Sequence, residues 1–234
     1  YKHGLPPAAA LDPKNSKTFA FMRKFMGDIE KSFKPEVWHL GGDHVDKNCW
    51  KHIEDKDKTY EEYLKEERQI VHNLTNFANL MYWYDNERID FKETDILQYK
   101  GNSRQIKTEM STEPKNFFVM SPSDVMIVDN GFPDYTGGRS HGYGTKSWRD
   151  YWGYDPDKYN ERGQNLGFEI LAWSHMSNEF DFLTKIFPRA AVTSFKHWNP
   201  NGKSGGALIE MMMRFQYRVK AYGVPTEKIS MRYC

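Results

Sequence analysis

Short apolar runs alternate along this chain with longer segments whose apolar residues return every third or fourth position, and this alternation limits the fold more than any other feature. Residues 16–33 place Phe19, Met22, Phe25, Met26, Ile29 and Phe33 on one face of an amphipathic helix. Val37-Trp38-His39-Leu40 follows as a strand, and Gly41-Gly42 ends it with residues that tolerate unusual backbone angles. The cycle returns: residues 60–79 have helical spacing, and 80–84, 95–99 and 117–120 read as strands. Residues 131–163, rich in Gly, Tyr and Trp, interrupt the pattern as a long surface loop with its own short helix. A strand at 168–173 and a helix at 207–222 complete it. Strands that alternate with helices pair in parallel, because a parallel neighbour is reached only through a crossover long enough to hold a helix. The expected fold is α/β with a parallel sheet, preceded by an extended, proline-containing arm at residues 1–15.

The chain has 234 residues, 38% hydrophobic and 15% aromatic, which is enough to bury a core. Its 33 Lys and Arg nearly balance 32 Asp and Glu, and neither sign forms a long block. That balance argues against electrostatic binding of nucleic acid or of a membrane surface. Apolar stretches such as Ala8 to Leu11 fall far short of the roughly 20 residues of a membrane helix, and mean hydropathy is −0.82, so no membrane partner is expected. No basic, apolar and small-residue leader opens the sequence, and any targeting signal is expected to have been removed or to lie outside it. Cys49 and Cys234 are too few for a disulfide scaffold and lack a CxxC spacing. Asn73-Leu74-Thr75 is a glycan acceptor if the chain enters the secretory pathway, a mild sign of secretion.

The most specific segment is Trp38-His39-Leu40-Gly41-Gly42-Asp43-His44-Val45, with Cys49-Trp50 just after it. Further pieces recur in order: Leu11-Asp12-Pro13, Trp83 with Asp85-Asn86, Met120-Ser121-Pro122, Trp148-Arg149-Asp150-Tyr151-Trp152, Gly167-Phe168-Glu169 through Trp173, and Phe187-Pro188-Arg189-Ala190. Together they resemble the catalytic domain of the β-N-acetylhexosaminidases of glycoside hydrolase family twenty, whose signature is His, an aliphatic residue, Gly-Gly-Asp-Glu-Val, then Cys-Trp. The likeness covers nearly the whole chain.

This resemblance implies a (β/α)₈ barrel with its active site at the C-terminal ends of the strands, of which this chain carries strand four onward. The expected organisation is a C-terminal chain completed by a separate N-terminal chain, as in nicked lysosomal family members, with a truncated piece as the alternative. Cys49 is expected to bridge to that partner. The usual mate of Cys234 falls near Tyr217, where there is no cysteine. A second hexosaminidase-like subunit is a further expected partner, the ligand is an N-acetylhexosamine glycan, and the location is lysosomal or extracellular.

Family chemistry is substrate-assisted: the sugar's own acetamido oxygen attacks the anomeric carbon, so no enzyme nucleophile is needed. An aspartate orients the acetamido group, a glutamic acid protonates the leaving oxygen and a tyrosine holds the acetamido in place. Asp43 occupies the aspartate position. The acid position is His44, Ile127 or a neighbour stands where the tyrosine belongs, His175 replaces a glutamate that binds sugar hydroxyls, and Lys100 replaces a tryptophan. Losing a general acid costs roughly 10²-fold to 10⁴-fold in rate, so the resemblance implies a non-catalytic or strongly impaired member. The rival is a working glycosidase in which a His44 imidazolium donates the proton.

By the same resemblance Trp83 and Trp173 are pocket walls for the sugar ring, the alternative being core packing, and His39 is a structural histidine beneath the loop. His197 and Trp198 are read as packing residues, and Lys100 with Arg139 makes the rim more basic. Asp43, His44 and His175 form a conceivable zinc set, but they come from separate strands without a local spacing such as HExxH. No cofactor or metal is expected.

Overall fold

A computed structural model describes residues 11–42, 45, 47, 50–75, 79–84, 91–106, 115–129, 146–155, 164–174, 177–199, 201–202 and 205–229. Its elements run in the order α1 (Ser16–Phe33), β1 (Val37–His39), α2 (Lys56–Leu74), β2 (Asn79–Tyr84), β3 (Ile96–Tyr99), β4 (Phe117–Met120), α3 (Trp148–Gly153), β5 (Asn165–Phe168), α4 (Phe182–Ile186), α5 (Arg189–Trp198) and α6 (Gly205–Ala221). Strand order follows chain order, β1-β2-β3-β4-β5. Pairing is parallel where Trp38 faces Leu80 and where Met120 faces Phe168. This is the α/β arrangement the alternation dictates. Among the described residues no helix is long and apolar enough to cross a membrane.

The chain divides into two compact units, Tyr1–Gln98 with Lys115–Phe117, and Tyr99–Pro114 with Phe118–Cys234. In the first, α1 starts because the Asn15 side chain accepts from the Lys17 N–H, and ends at Lys34, whose backbone turns left-handed at φ 46°. Its buried line is Thr18, Met22 and Met26, spaced by four. Met22 and Met26 meet Ile70 and Val71 of α2 and Trp38, Leu80 and Tyr82 of the strands. Two aromatics expected on this face are not buried: Phe25 is 54% exposed and Phe33 is 78% exposed. Phe25 lies one residue off the buried line and stacks on Phe21 at 5.9 Å, and Phe33 is the last residue of the helix.

The second helix is displaced from its expected span of 60–79. Asp55 caps it by accepting from the Lys58 N–H at 3.0 Å, which adds a polar first turn. Thr75 is extended at φ −128°, ψ 139°, which ends the helix, and Asn79 already belongs to β2. Behind it, Arg68 donates twice to Asp95, at 2.8 and 2.7 Å, and the Lys92 N–H adds a third bond to the same carboxylate. These contacts satisfy an acid that is almost wholly buried.

In the second unit the core gathers Val125, Met126 and Val128 with Trp148, Tyr151, Val192, Leu208 and Met212. The short helix expected inside 131–163 is α3, begun where the Ser147 N–H and hydroxyl donate to Asp150 Oδ2; 131–145 and 156–163 lie outside the described residues. The strand expected at 168–173 is shifted and broken. Its regular part is β5, where the register slips between Phe118 and Val119 and Gly167 takes φ +138°, and Leu171 then makes a separate parallel bridge to Ile127. A bulge beside Gly167 kinks β5 itself. Arg189, buried at the start of α5, pairs with Glu227 at 3.2 Å and donates to the Val128 carbonyl. The packing expected of Trp198 does not occur: it ends α5 and is 91% exposed, whereas its neighbour His197 stacks on Phe168 with centroids 3.8 Å apart.

Candidate active site

Parallel strands bring their C-terminal ends to one edge of a sheet, and side chains that leave the packed layer there can serve a ligand. The end of β1 is the best-defined example. Gly41 and Gly42 have φ of +73° and +92°, a left-handed stretch that side chains other than glycine rarely adopt. Three contacts hold it. The Gly41 N–H donates to His39 Nδ1 at 3.0 Å, the Trp83 N–H donates to the Gly41 carbonyl at 2.9 Å, and the Tyr60 hydroxyl donates to the Gly42 carbonyl at 2.7 Å. Asp43 and His44 come next in the chain; they lie outside the described residues, as do Cys49, His175 and Arg139.

The Gly41 bond also fixes the tautomer of His39. A backbone N–H can only donate, so Nδ1 carries the lone pair and the ring proton sits on Nε2, which donates to Gln98 Oε1 at 2.8 Å. Gln98 is fully buried on β3. The Trp83 ring stands 4.9 Å from the imidazole, tilted by 55°. Beneath this turn Trp50, Ile53, Tyr60 and Leu64 form a small apolar cluster, and the Trp50 indole N–H donates to the Leu11 carbonyl at 3.1 Å. His39 and Trp83 are thus brought together, and the structure adds Gln98 and Tyr60 to them.

In the second unit Trp173 lies past β5 on irregular backbone and is 39% exposed. Ser174 follows with φ +56°, and the Lys100 ammonium lies 5.8 Å from the Trp173 ring centroid, a cation–π contact. Ile127 is half-buried, and its carbonyl accepts from the Tyr151 hydroxyl at 3.1 Å. Burial pushes the Tyr151 phenol above its ordinary range, against the opposing pull of the Arg189 guanidinium. Two residues beyond Ile127, Asp129 is completely buried, and among the described residues neither carboxylate oxygen has a hydrogen-bond partner. A buried acid without a partner is costly, which marks it as a functional candidate. Sequence reading passed over it because it closes an apolar run, Val125 to Val128.

Beside β5 and α5 is a cavity of about 830 Å³ lined by Asn165, Phe168, Lys196, His197 and Trp198 among others, and it contains none of the expected site residues. Among the described residues no three His, Cys, Asp or Glu side chains come together as a metal set.

The model of glycosyl hydrolase family 20, catalytic domain, matches residues 2–201. The chain belongs to glycosyl hydrolase family 20. A relative, beta-hexosaminidase 1 of Coccidioides posadasii, is 22% identical over 280 residues, covering 98% of this chain and 46% of its own. Mouse beta-hexosaminidase subunit alpha is 21% identical, covering 96% and 44%. Among solved structures, the family 20 exo-beta-N-acetylglucosaminidase of Vibrio harveyi, in complex with N-acetylglucosamine, superposes with a TM-score of 0.74 at 14% identity, over 95% of this chain and 37% of that one. The chain spans less than half the length of these relatives. In family 20 terms its five parallel strands are a section of a TIM barrel.

Proposed function

We propose that this family 20 chain is the C-terminal barrel portion of a hexosaminidase-like protein that binds N-acetylhexosamine glycans and hydrolyses them poorly or not at all. One observation carries the reading: the residue after Asp43 is His44, where the signature it resembles has a glutamic acid. A glycosidic oxygen needs a proton to leave, and the missing donor costs roughly 10²-fold to 10⁴-fold. With Ile127 or a neighbour at the sequence position of the acetamido-holding tyrosine, the reacting geometry is looser still. Retained binding is supported by Asp43, which directly follows a braced turn, and by Trp173, whose partly exposed ring offers an apolar face to a sugar. The second reading is an active hydrolase that uses the His44 imidazolium as its acid, favoured by the histidine titration range.

In this proposal a separate N-terminal chain completes the barrel, Cys49 joins the two by a disulfide, and a second hexosaminidase-like subunit pairs with them, as the name of the mouse relative suggests. The location is lysosomal or extracellular, and Asn73, exposed on the last turn of α2, carries a glycan. The deciding experiment assays the native complex with a chromogenic N-acetylglucosaminide and measures N-acetylglucosamine binding by calorimetry. Binding without turnover is expected. Hydrolysis that disappears in both Asp43→Asn and His44→Ala would overturn the reading in favour of the active enzyme.

A further inference from the structure

Glu67 lies on α2, two turns beyond Tyr60, and is 7% exposed; its Oε2 is buried and has no hydrogen-bond partner among the described residues. The titratable and charged groups around it offer no compensating charge. On its own helix, Tyr63 is a half-buried phenol one turn back, and Arg68 is committed to Asp95 through two bonds. From β2 comes Tyr82, whose hydroxyl is also buried without a partner among the described residues and whose ring lies 5.2 Å from the Arg68 guanidinium. From α1, Arg23 pairs outward with Glu66, the residue before Glu67, at 2.9 Å. Among the described residues no cation pairs with Glu67.

We propose that Glu67 is a proton-dependent latch: with its carboxyl neutral, α2 seats on β2 and Tyr60 grips the turn that leads into Asp43, and with the carboxyl ionised this seat loosens. Desolvation of the carboxylate pushes Glu67 up to about 8. The sign follows from proton counting. Between the ordinary value of 4.5 and about 8 the folded chain holds a proton that the unfolded chain releases, so stability falls as pH rises through that window. The neighbouring phenols of Tyr63 and Tyr82, raised by burial, stay neutral there and do not oppose the effect.

This inference does not depend on which ligand the site takes. Denaturant unfolding of the native assembly, followed from about pH 5 to about pH 9, tests it against Glu67→Gln; the wild-type folding constant falls by up to tenfold per pH unit where the proton difference is complete. The variant is expected to lose most of that slope and to exceed wild type at the alkaline end; equal slopes in the two proteins overturn the latch. If Glu67→Gln does not fold, infrared spectra of the wild type decide instead. A protonated carboxyl band that persists at neutral pH and vanishes near the alkaline end supports the latch, and its absence at neutral pH overturns it.

Discussion

The two tryptophans at the strand ends stand in opposite circumstances. Trp83 is 7% exposed, its backbone holds the Gly41 carbonyl, and its ring leans on an imidazole whose two nitrogens are both engaged. Trp173 is 39% exposed, sits outside any regular strand, and has a lysine ammonium over its ring. The first belongs to a cross-braced turn in which groups from β1, β2, β3 and α2 converge. The second is presented on irregular backbone whose nearest regular anchor is the Leu171 bridge to Ile127. A strand end therefore becomes rigid through polar groups supplied by neighbouring elements, and strand geometry alone does not provide them.

Trp83→Ala gives the largest effect expected from this contrast. Removing a buried indole costs about 3–5 kcal/mol, read as a lower denaturation midpoint. Gly41→Ala comes next: open space surrounds the added methyl, so the cost comes from φ +73° alone, about 1–2 kcal/mol. Gly41→Asn, which tolerates left-handed angles, is expected to recover part of that loss in the same assay. Trp173→Ala is the smallest in stability, within about 0.5 kcal/mol, yet it abolishes N-acetylglucosamine binding in calorimetry if its ring is a sugar platform. A Trp173→Ala chain that unfolds as readily as Trp83→Ala would erase the distinction between the two ends.

Much of the scaffold was legible because periodicity is a local signal. The span 16–33 matches α1, and the runs at 80–84 and 117–120 match β2 to within a residue and β4 fully. Boundaries failed where a single polar residue decides them, as at the Asp55 cap and the extended Thr75. The strand expected at 168–173 was misplaced because regular pairing sits at 165–168, where a bulge beside Gly167 changes register without changing hydrophobicity. At the candidate site the motif pointed to the turn after β1, but its supports could not be read from it. His39 and Gln98 are 59 residues apart, and Tyr60 sits 18 residues from Gly42, so their pairing exists only once the sheet has formed. Asp129 was missed because an acid that ends an apolar run carries no pattern of its own.

Lys100 follows β3 and is only half-buried, so the layer beneath it sets few limits on which side chain stands there. Folding therefore keeps no watch over the chemistry. A protein built this way can exchange its reactive groups and keep its shape, so an intact backbone is poor testimony to the trade it plies.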